Sequence, residues 1–451
     1  MPRPAREDEV LSSARYARGL PQSLASLAAS PPRAAAIVYA VCLALYLFAA
    51  PRELLTTHTS YNHFSLLARA WLDGRLDLGG PPPAYTQNND FAAFDHKIYV
   101  SFPPFPAVLL LPFVALAGSP DSVRDGLVFL LLAPLGPALA FVALHRLSQT
   151  KLSPRTFLEN VALALLLGLG TVLFSTAVQG TVWFAAHVIG LALLAGYVAA
   201  SVRATYPVLA GLALGLALAT RTTLVFAAPF FLFELYATHK DDDPRKIALA
   251  FARFAAPLAF IGALLAWHNR VRFGSAFEFG HNYLPEPQIK KWGLFSIHYL
   301  GRNLGAMLAS TPFFGPGPAA LGPTRFRISQ HGLALWITSP FLVLALFPRA
   351  RPPRARATYL GLVISSVLVA APVLLYHNTG RVQFGYRFSN DFAVLLVALI
   401  AMGRRKLGYT FKALATWSLI VNLFGAMTFQ RVASRRYYAY EHPQSVLFEP
   451  D

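Results

Sequence analysis

Residues 157–200 read FLENVALALLLGLGTVLFSTAVQGTVWFAAHVIGLALLAGYVAA. Glu159 is the only formally charged residue among them. A helix that crosses a bilayer needs about 20 apolar residues. Two such runs fit here in succession, 157–176 and 181–200. The rest of the chain has the same character. Of its 451 residues 55% are hydrophobic and 13% charged, with a mean hydropathy of +0.47. A soluble domain carries about 25% charged residues. A surface so poor in charge is solvated by lipid rather than water, which excludes an ordinary soluble enzyme.

Further apolar runs lie at 34–50, 126–144, 207–219, 222–237, 248–268, 332–347, 357–376, 391–403 and 410–428. The predicted fold is therefore all-α and polytopic, with about 11 transmembrane helices (roughly 10–13). Residues 101–118 are apolar but carry Pro103, Pro104, Pro106 and Pro112. Proline removes a backbone donor, so this run is predicted to be an interfacial or re-entrant helix.

Charge orients the spans. The net charge is +18 and the pI about 10.2. In a soluble protein that balance suggests nucleic acid. Here the cations sit in short loops between apolar runs, so they are topology signals beside anionic lipid, and no nucleic-acid partner is expected. Arg146, Lys151 and Arg155 fall on one side with Lys240, Arg245 and Lys246, with Arg349, Arg351, Arg354 and Arg356, and with Arg404, Arg405 and Lys406. The basic N-terminal stretch 1–33, with Arg3, Arg6, Arg15 and Arg18, joins them, and that side is predicted to be cytoplasmic. Residues 34–429 form the membrane domain and 430–451 a tail. Arg431, Arg435 and Arg436 fall on the opposite side and break the pattern. The outer side then holds three long polar segments, 51–125, 269–331 and 376–390, where functional groups are expected. The lone cysteine, Cys42, permits neither an intrachain disulfide nor a cysteine metal site.

The first outer segment begins His58-Thr-Ser-Tyr61-Asn62-His63 and continues with Phe64, Leu67, Ala68, Trp71 and Leu72 at helical spacing. This predicts an amphipathic helix in the membrane interface, ended by Asp73-Gly74. Asp90 and Asp95 follow, two carboxylates beside an apolar wall. Poor solvation raises a carboxyl pKa and suits it to general base chemistry, although a solvated turn is the plainer reading. Arg221 stands within a mostly apolar stretch, and an intramembrane charge is a functional candidate by default. Two short spans meeting there would bring its guanidinium to the head groups, where it pairs with a lipid phosphate or merely snorkels. Glu278, His281, Asn282, Arg387, Asn390 and Asp391 are further outer polar groups. His187 reads as a satisfied buried histidine. Glu278 and His281 give only a weak metal-like spacing. His268-Asn269-Arg270-Val271-Arg272-Phe273-Gly274 and the stretch from His377 to Gly385 are loosely alike, by chance or because both cap one cavity.

The layout resembles that of the GT-C membrane glycosyltransferases, in particular bacterial relatives of protein O-mannosyltransferase and lipid A aminoarabinose transferase. Three features carry the likeness over residues 34–240: one span followed by a long outer loop with an interfacial helix, the element Tyr99-Val-Ser-Phe-Pro103-Pro104, and Gly211-Leu-Ala-Leu-Gly215-Leu-Ala-Leu-Ala-Thr-Arg221. The resemblance implies sugar transfer from a polyprenyl-phosphate donor to a lipid, glycan or protein acceptor at the outer face of a bacterial inner membrane. It implies no cofactor beyond that lipid-linked substrate and leaves a divalent metal open. It also implies an acidic base in the first outer loop and cations on the lipid phosphate. Arg221 matches the position where the family has Lys or Arg. The family's acidic pair after the first span is replaced here by Tyr61-Asn62-His63, so the candidate bases are Asp95, then Asp90, then His63. Substrate-binding candidates are Arg221, Asn62, Tyr99, His281, Arg387 and Asp391. A transporter or lipid flippase and a catalytically silent scaffold of the same fold are the alternatives.

Overall fold

Proline opens several of the long helices. Pro31, Pro207, Pro229 and Pro244 each stand in a first turn, where a missing N–H costs nothing. Polar caps start others: Thr156 and Glu159 form a reciprocal capping box, and Asp243 accepts from the Arg245 amide. The computed structural model describes residues 30–314, 324–348 and 355–439. Arg3, Arg6, Arg15, Arg18, Arg349, Arg351 and Arg354 lie outside the described residues, as does the tail beyond Ala439.

Among the described residues six helical segments are long and apolar enough to cross a membrane: Pro31–Ala49, Asp125–Gln149, Val182–Ala204, Pro244–Phe273, Arg356–Leu374 and Tyr409–Thr428. Four shorter apolar helices accompany them, Phe105–Ala117, Phe157–Leu169, Pro207–Leu218 and Ala393–Met402. We label α1 Pro31–Ala49, α2 Arg52–Thr56, α3 His63–Leu72, α4 Phe105–Ala117, α5 Asp125–Leu132, α6 Leu135–Gln149 and α7 Phe157–Leu169. Then follow α8 Leu173–Ala177, α9 Val182–Ser201, α10 Pro207–Leu218, α11 Pro229–His239, α12 Pro244–Phe273, α13 Pro287–Trp292 and α14 Leu300–Leu308. The last are α15 Leu335–Thr338, α16 Arg356–Leu374, α17 Ala393–Met402 and α18 Tyr409–Thr428.

The runs expected as single spans are not all continuous. Residues 332–347 form only the short α15 and a 3₁₀ run, Pro340–Leu346, because Pro340 cannot continue the α-helical ladder. Residues 157–176 break between α7 and α8, and 222–237 divides into a 3₁₀ turn, Thr222–Ala227, and α11. The amphipathic helix expected after His63 is present as α3, and the proline-rich run folds as the 13-residue α4.

Of the six long segments the most buried is that of α9, lined by small and aliphatic side chains such as Ala185, Leu194 and Ala195. Helix α10 runs against α12 through Gly211 and Gly215. A Cβ on Gly211 would stand 1.9 Å from the Phe254 carbonyl oxygen, and one on Gly215 would stand 2.7 Å from Ile261 Cδ1. The glycine-rich segment is therefore a small-xxx-small packing face. Between α3 and α4 a hairpin of β1, Phe91–Phe94, and β2, Lys97–Val100, pairs antiparallel with Phe91 opposite Val100. Elsewhere β3, Phe313–Phe314, β4, Phe326–Ser329, and β5, Tyr438–Ala439, form a small mixed sheet.

Candidate functional site

Five chain segments meet at one end of the bundle. After α10 the chain turns at Ala219–Arg221, and the Phe105 amide donates to the Ala219 carbonyl at 2.9 Å. The Pro103-Pro104 element is thereby pinned beside Arg221. Around this junction lies a cavity of about 300 Å³. Asp90, Phe102 and Pro103 come to it from the first loop, Trp183 and His187 from α9, and Arg221 and Thr223 from the turn after α10. Glu278, His281, Tyr376, His377, Arg387 and Phe388 complete its polar and aromatic wall. All three segments expected outside the membrane contribute.

The charged core of the site is a network centred on Asp391. Arg221 grips this buried carboxylate with a two-point fork, Nε to Oδ1 and Nη2 to Oδ2, both 2.7 Å. His187 Nδ1 lies 3.0 Å from Oδ1, and the Thr223 hydroxyl donates to Oδ2 at 3.2 Å. Asp391 is 1% exposed and the Arg221 side chain 17%. The sequence leaves Arg221 to pair with a lipid phosphate or to snorkel. Instead two of its nitrogens are committed to Asp391, and Nη1 takes no part in the fork.

Arg387 is the second cation of the cavity and is buried. Its Nη1 makes a long 3.4 Å contact with the Val382 carbonyl, and its Nε has no partner among the described residues. Its guanidinium stacks over Phe184 and Phe388 at 5.1 and 5.6 Å. Among the described residues no carboxylate is within ion-pair distance of it. Burial, reinforced by nearby Arg221, pushes its pKa down to about 10. The cavity wall thus carries two guanidiniums, one of them committed to Asp391, together with the Asp90 and Glu278 carboxylates.

Asp90 lines the same cavity. It stands in the left-handed region with φ 60°, and its Oδ2 accepts from the Trp183 indole at 2.5 Å. Withdrawal from water raises its pKa, against the opposing Trp183 hydrogen bond. Asp95 does not share this position. It occupies the turn between β1 and β2, exposed, with φ 48°, and is not in the cavity wall. The hairpin pairing Phe94 with Lys97 forces Asp95 to the tip, where the bland reading of a solvated turn applies.

The remaining candidates divide in the same way. His63 is fully buried, stacked on Phe91 at 4.2 Å, with Nε2 2.8 Å from the Asn89 carbonyl. Burial pushes its pKa down to about 4, and it does not reach the cavity. Asn62 is held by Tyr85 and Asp121, and Tyr99 packs edge-on against Phe273 at 5.1 Å. None of the three lines the cavity. Tyr61 and His63 pack near Trp183, with ring centroids 4.6 and 6.2 Å away, so the segment 61–63 buttresses the side chain that holds Asp90. His281 and Arg387 do line the cavity, while Asp391 acts from behind Arg221.

Glu278 is engaged by the Gly280 amide and Asn282, which orders the loop at 278–282. Burial lowers His281 to about 4 and His377 to about 3, so both are neutral near pH 7. No group of three or more His, Cys, Asp or Glu is placed to hold a metal ion among the described residues. The two loosely alike segments do not form a common rim: His377 and Asn378 line the cavity and His268 and Asn269 do not. Sequence reasoning missed His187, Trp183 and His377. The signal available for the first two was their four-residue spacing, which puts a polar edge on one face of an otherwise apolar helix.

Searches against protein-family models and curated proteins return no match. Among solved structures the chain resembles the oligosaccharyltransferase of Archaeoglobus fulgidus. Its apo form superposes with a TM-score of 0.50 at 16% identity, over 88% of this chain and 56% of that one. The same enzyme tethered to an acceptor peptide gives 0.48 at 14% identity, over 87% and 55% of the two chains. In complex with an inhibitory peptide and a dolichol-phosphate it gives 0.47 at 14% identity, over 90% and 56%. The chain thus spans little more than half the length of that protein, and the likeness is one of fold: a helical, polytopic membrane architecture of the GT-C kind.

Proposed function

We propose that the protein is a membrane glycosyltransferase that moves a sugar from a polyprenyl-phosphate donor to a hydroxyl-bearing lipid, glycan or protein acceptor at the outer face of the membrane. The observation that carries this reading is Arg387, a buried guanidinium at the cavity wall with no carboxylate at ion-pair distance among the described residues. A buried cation without a counter-ion is costly, and an anionic ligand relieves that cost. Arg387 and the uncommitted Nη1 of Arg221 supply donors for a phosphate, and Phe102, Phe295 and Phe388 offer aromatic faces to a sugar ring.

Chemistry follows from Asp90, which lines the same cavity. The acceptor hydroxyl gives its proton to the ionised Asp90 carboxylate as its oxygen bonds to the anomeric carbon. The bond from that carbon to the phosphate oxygen breaks, and the lipid phosphate leaves with the electron pair, its charge held by the arginines. Trp183 fixes the direction of Asp90, and withdrawal from water makes this carboxylate more basic than one in solvent.

The test uses purified protein in lipid nanodiscs with a labelled polyprenyl-phosphate sugar. Arg387→Leu is expected to cut transfer at least a hundredfold and Arg387→Lys to restore part of it, since charge survives without the planar fork. Wild-type rates in Arg387→Leu would overturn the phosphate site.

A further inference from the structure

The cavity contains an unused hydrogen-bond acceptor. His187 Nδ1 faces Asp391 at 3.0 Å, while Nε2 at the far side of the ring is buried and has no partner among the described residues. The residue is 1% exposed and lines the cavity. Asp391 accepts only, so the proton between the two groups sits on Nδ1 and Nε2 presents a lone pair. Arg221 already neutralises Asp391 and stands beside the ring, so a second positive charge on His187 is disfavoured. A neutral Nε2 repels an anionic phosphate oxygen and welcomes an O–H donor.

Position narrows the ligand further. His187 follows Trp183 by four residues on α9, which sets the two side chains on one face of the helix. Trp183 holds Asp90, the proposed base, and Asp391 holds Arg221, the proposed phosphate ligand. His187 therefore stands between the group that meets the nucleophile and the groups that meet the leaving phosphate. The ring is braced by Phe388 with centroids 5.6 Å apart and by Asp391, so Nε2 keeps a fixed direction.

Resting on the glycosyl-transfer reading, we propose that His187 is a substrate-contacting residue whose Nε2 accepts a hydrogen bond from a hydroxyl of the reacting pair. The hydroxyl belongs either to the donor sugar or to the acceptor, and both carry the same O–H chemistry. Asp391 is the positioning residue that sets the tautomer.

Two substitutions isolate the claim. His187→Asn keeps an amide nitrogen two bonds beyond Cβ, where Nδ1 was, so the Asp391 contact survives and the Nε2 acceptor is lost. His187→Gln puts a carbonyl oxygen near the former Nε2. Wild type, His187→Asn and His187→Gln are compared in nanodiscs for thermal unfolding, for KM of the polyprenyl-phosphate sugar, and for transfer at saturating donor. His187→Asn is expected to unfold at the wild-type temperature and to lose about ten- to a hundredfold in transfer, the scale of one unsatisfied buried hydrogen bond, with partial recovery in His187→Gln. A raised donor KM assigns the contact to the sugar. An unchanged donor KM with slower transfer assigns it to the acceptor. Wild-type transfer in both variants overturns the proposal while the glycosyl-transfer reading stands, and absence of transfer in the wild type overturns that reading instead.

Discussion

At the level of single residues, sequence context ranks Asp95 before Asp90, and the fold brings only Asp90 to the cavity wall. Asp95 lies closer to the Pro-Pro element in sequence, yet the hairpin carries it to an exposed tip, while Asp90 is drawn to the cavity by Trp183. Asp90→Asn should therefore lower transfer about a hundredfold or more, and Asp95→Asn should leave it unchanged in the same assay. A pH profile adds a sign. Asp90 must be ionised to accept a proton, so activity is present above its pKa and lost as pH falls through it. Its raised pKa places that acid limb above the roughly 4 of an ordinary carboxylate, and Asp90→Asn should remove the limb. Arg221 behaves differently from a simple phosphate ligand. Replacing it by leucine strands the buried Asp391 carboxylate, so Arg221→Leu should lose about 3–5 kcal/mol of stability as well as activity. Thermal unfolding in detergent checks this, and adding Asp391→Asn to Arg221→Leu should recover part of the loss.

At the level of elements, the close approach of α10 and α12 sets where the Arg221 turn stands. Gly211 meets backbone, whereas Gly215 meets the tip of Ile261. Backbone cannot swing aside, so Gly211→Ala should cost about 1–3 kcal/mol as overpacking, and Gly215→Ala less. Unfolding temperatures of the two variants, measured side by side, decide the order. The helices themselves were legible because apolar length and proline at first turns are local signals. Residues 332–347 are apolar enough to pass as a span, and apolar length alone hides the break at Pro340 that divides them into short α and 3₁₀ pieces. Arg221 was visible as an isolated charge. Its partner Asp391 is 170 positions away, and only the folded chain brings the two together. His187 was dismissed for the same reason: a lone histidine in an apolar run carries no mark of the carboxylate it will meet.

For the molecule as a whole, the basic loops cohere in space. Arg155 donates to the carbonyls of Ile400 and Gly403 at 2.9 and 2.7 Å, and the Arg404 amide donates to the Pro348 carbonyl at 3.1 Å. Connectors expected on one side of the membrane are thus tied to each other at one end of the bundle. The discordant Arg431 has a local cause. Its Nη2 donates to the carbonyls of Ala49 and Ala426, each 3.1 Å away, where α1 and α18 end and exposed carbonyls favour a cation. A cation held by helix ends says little about translocation, so the positive-inside pattern rests on the other loops. Lys97 and Lys290 are exposed on segments expected outside, and Lys151 and Lys240 on connectors expected inside. The native Cys42 is buried and should stay silent to a charged thiol reagent. In intact cells Lys97→Cys and Lys290→Cys should label at once, and Lys151→Cys and Lys240→Cys only after permeabilisation. The reverse pattern would turn the cavity toward the cytoplasm, where a sugar displayed on a polyprenyl phosphate at the outer leaflet would not reach Asp90 or Arg387.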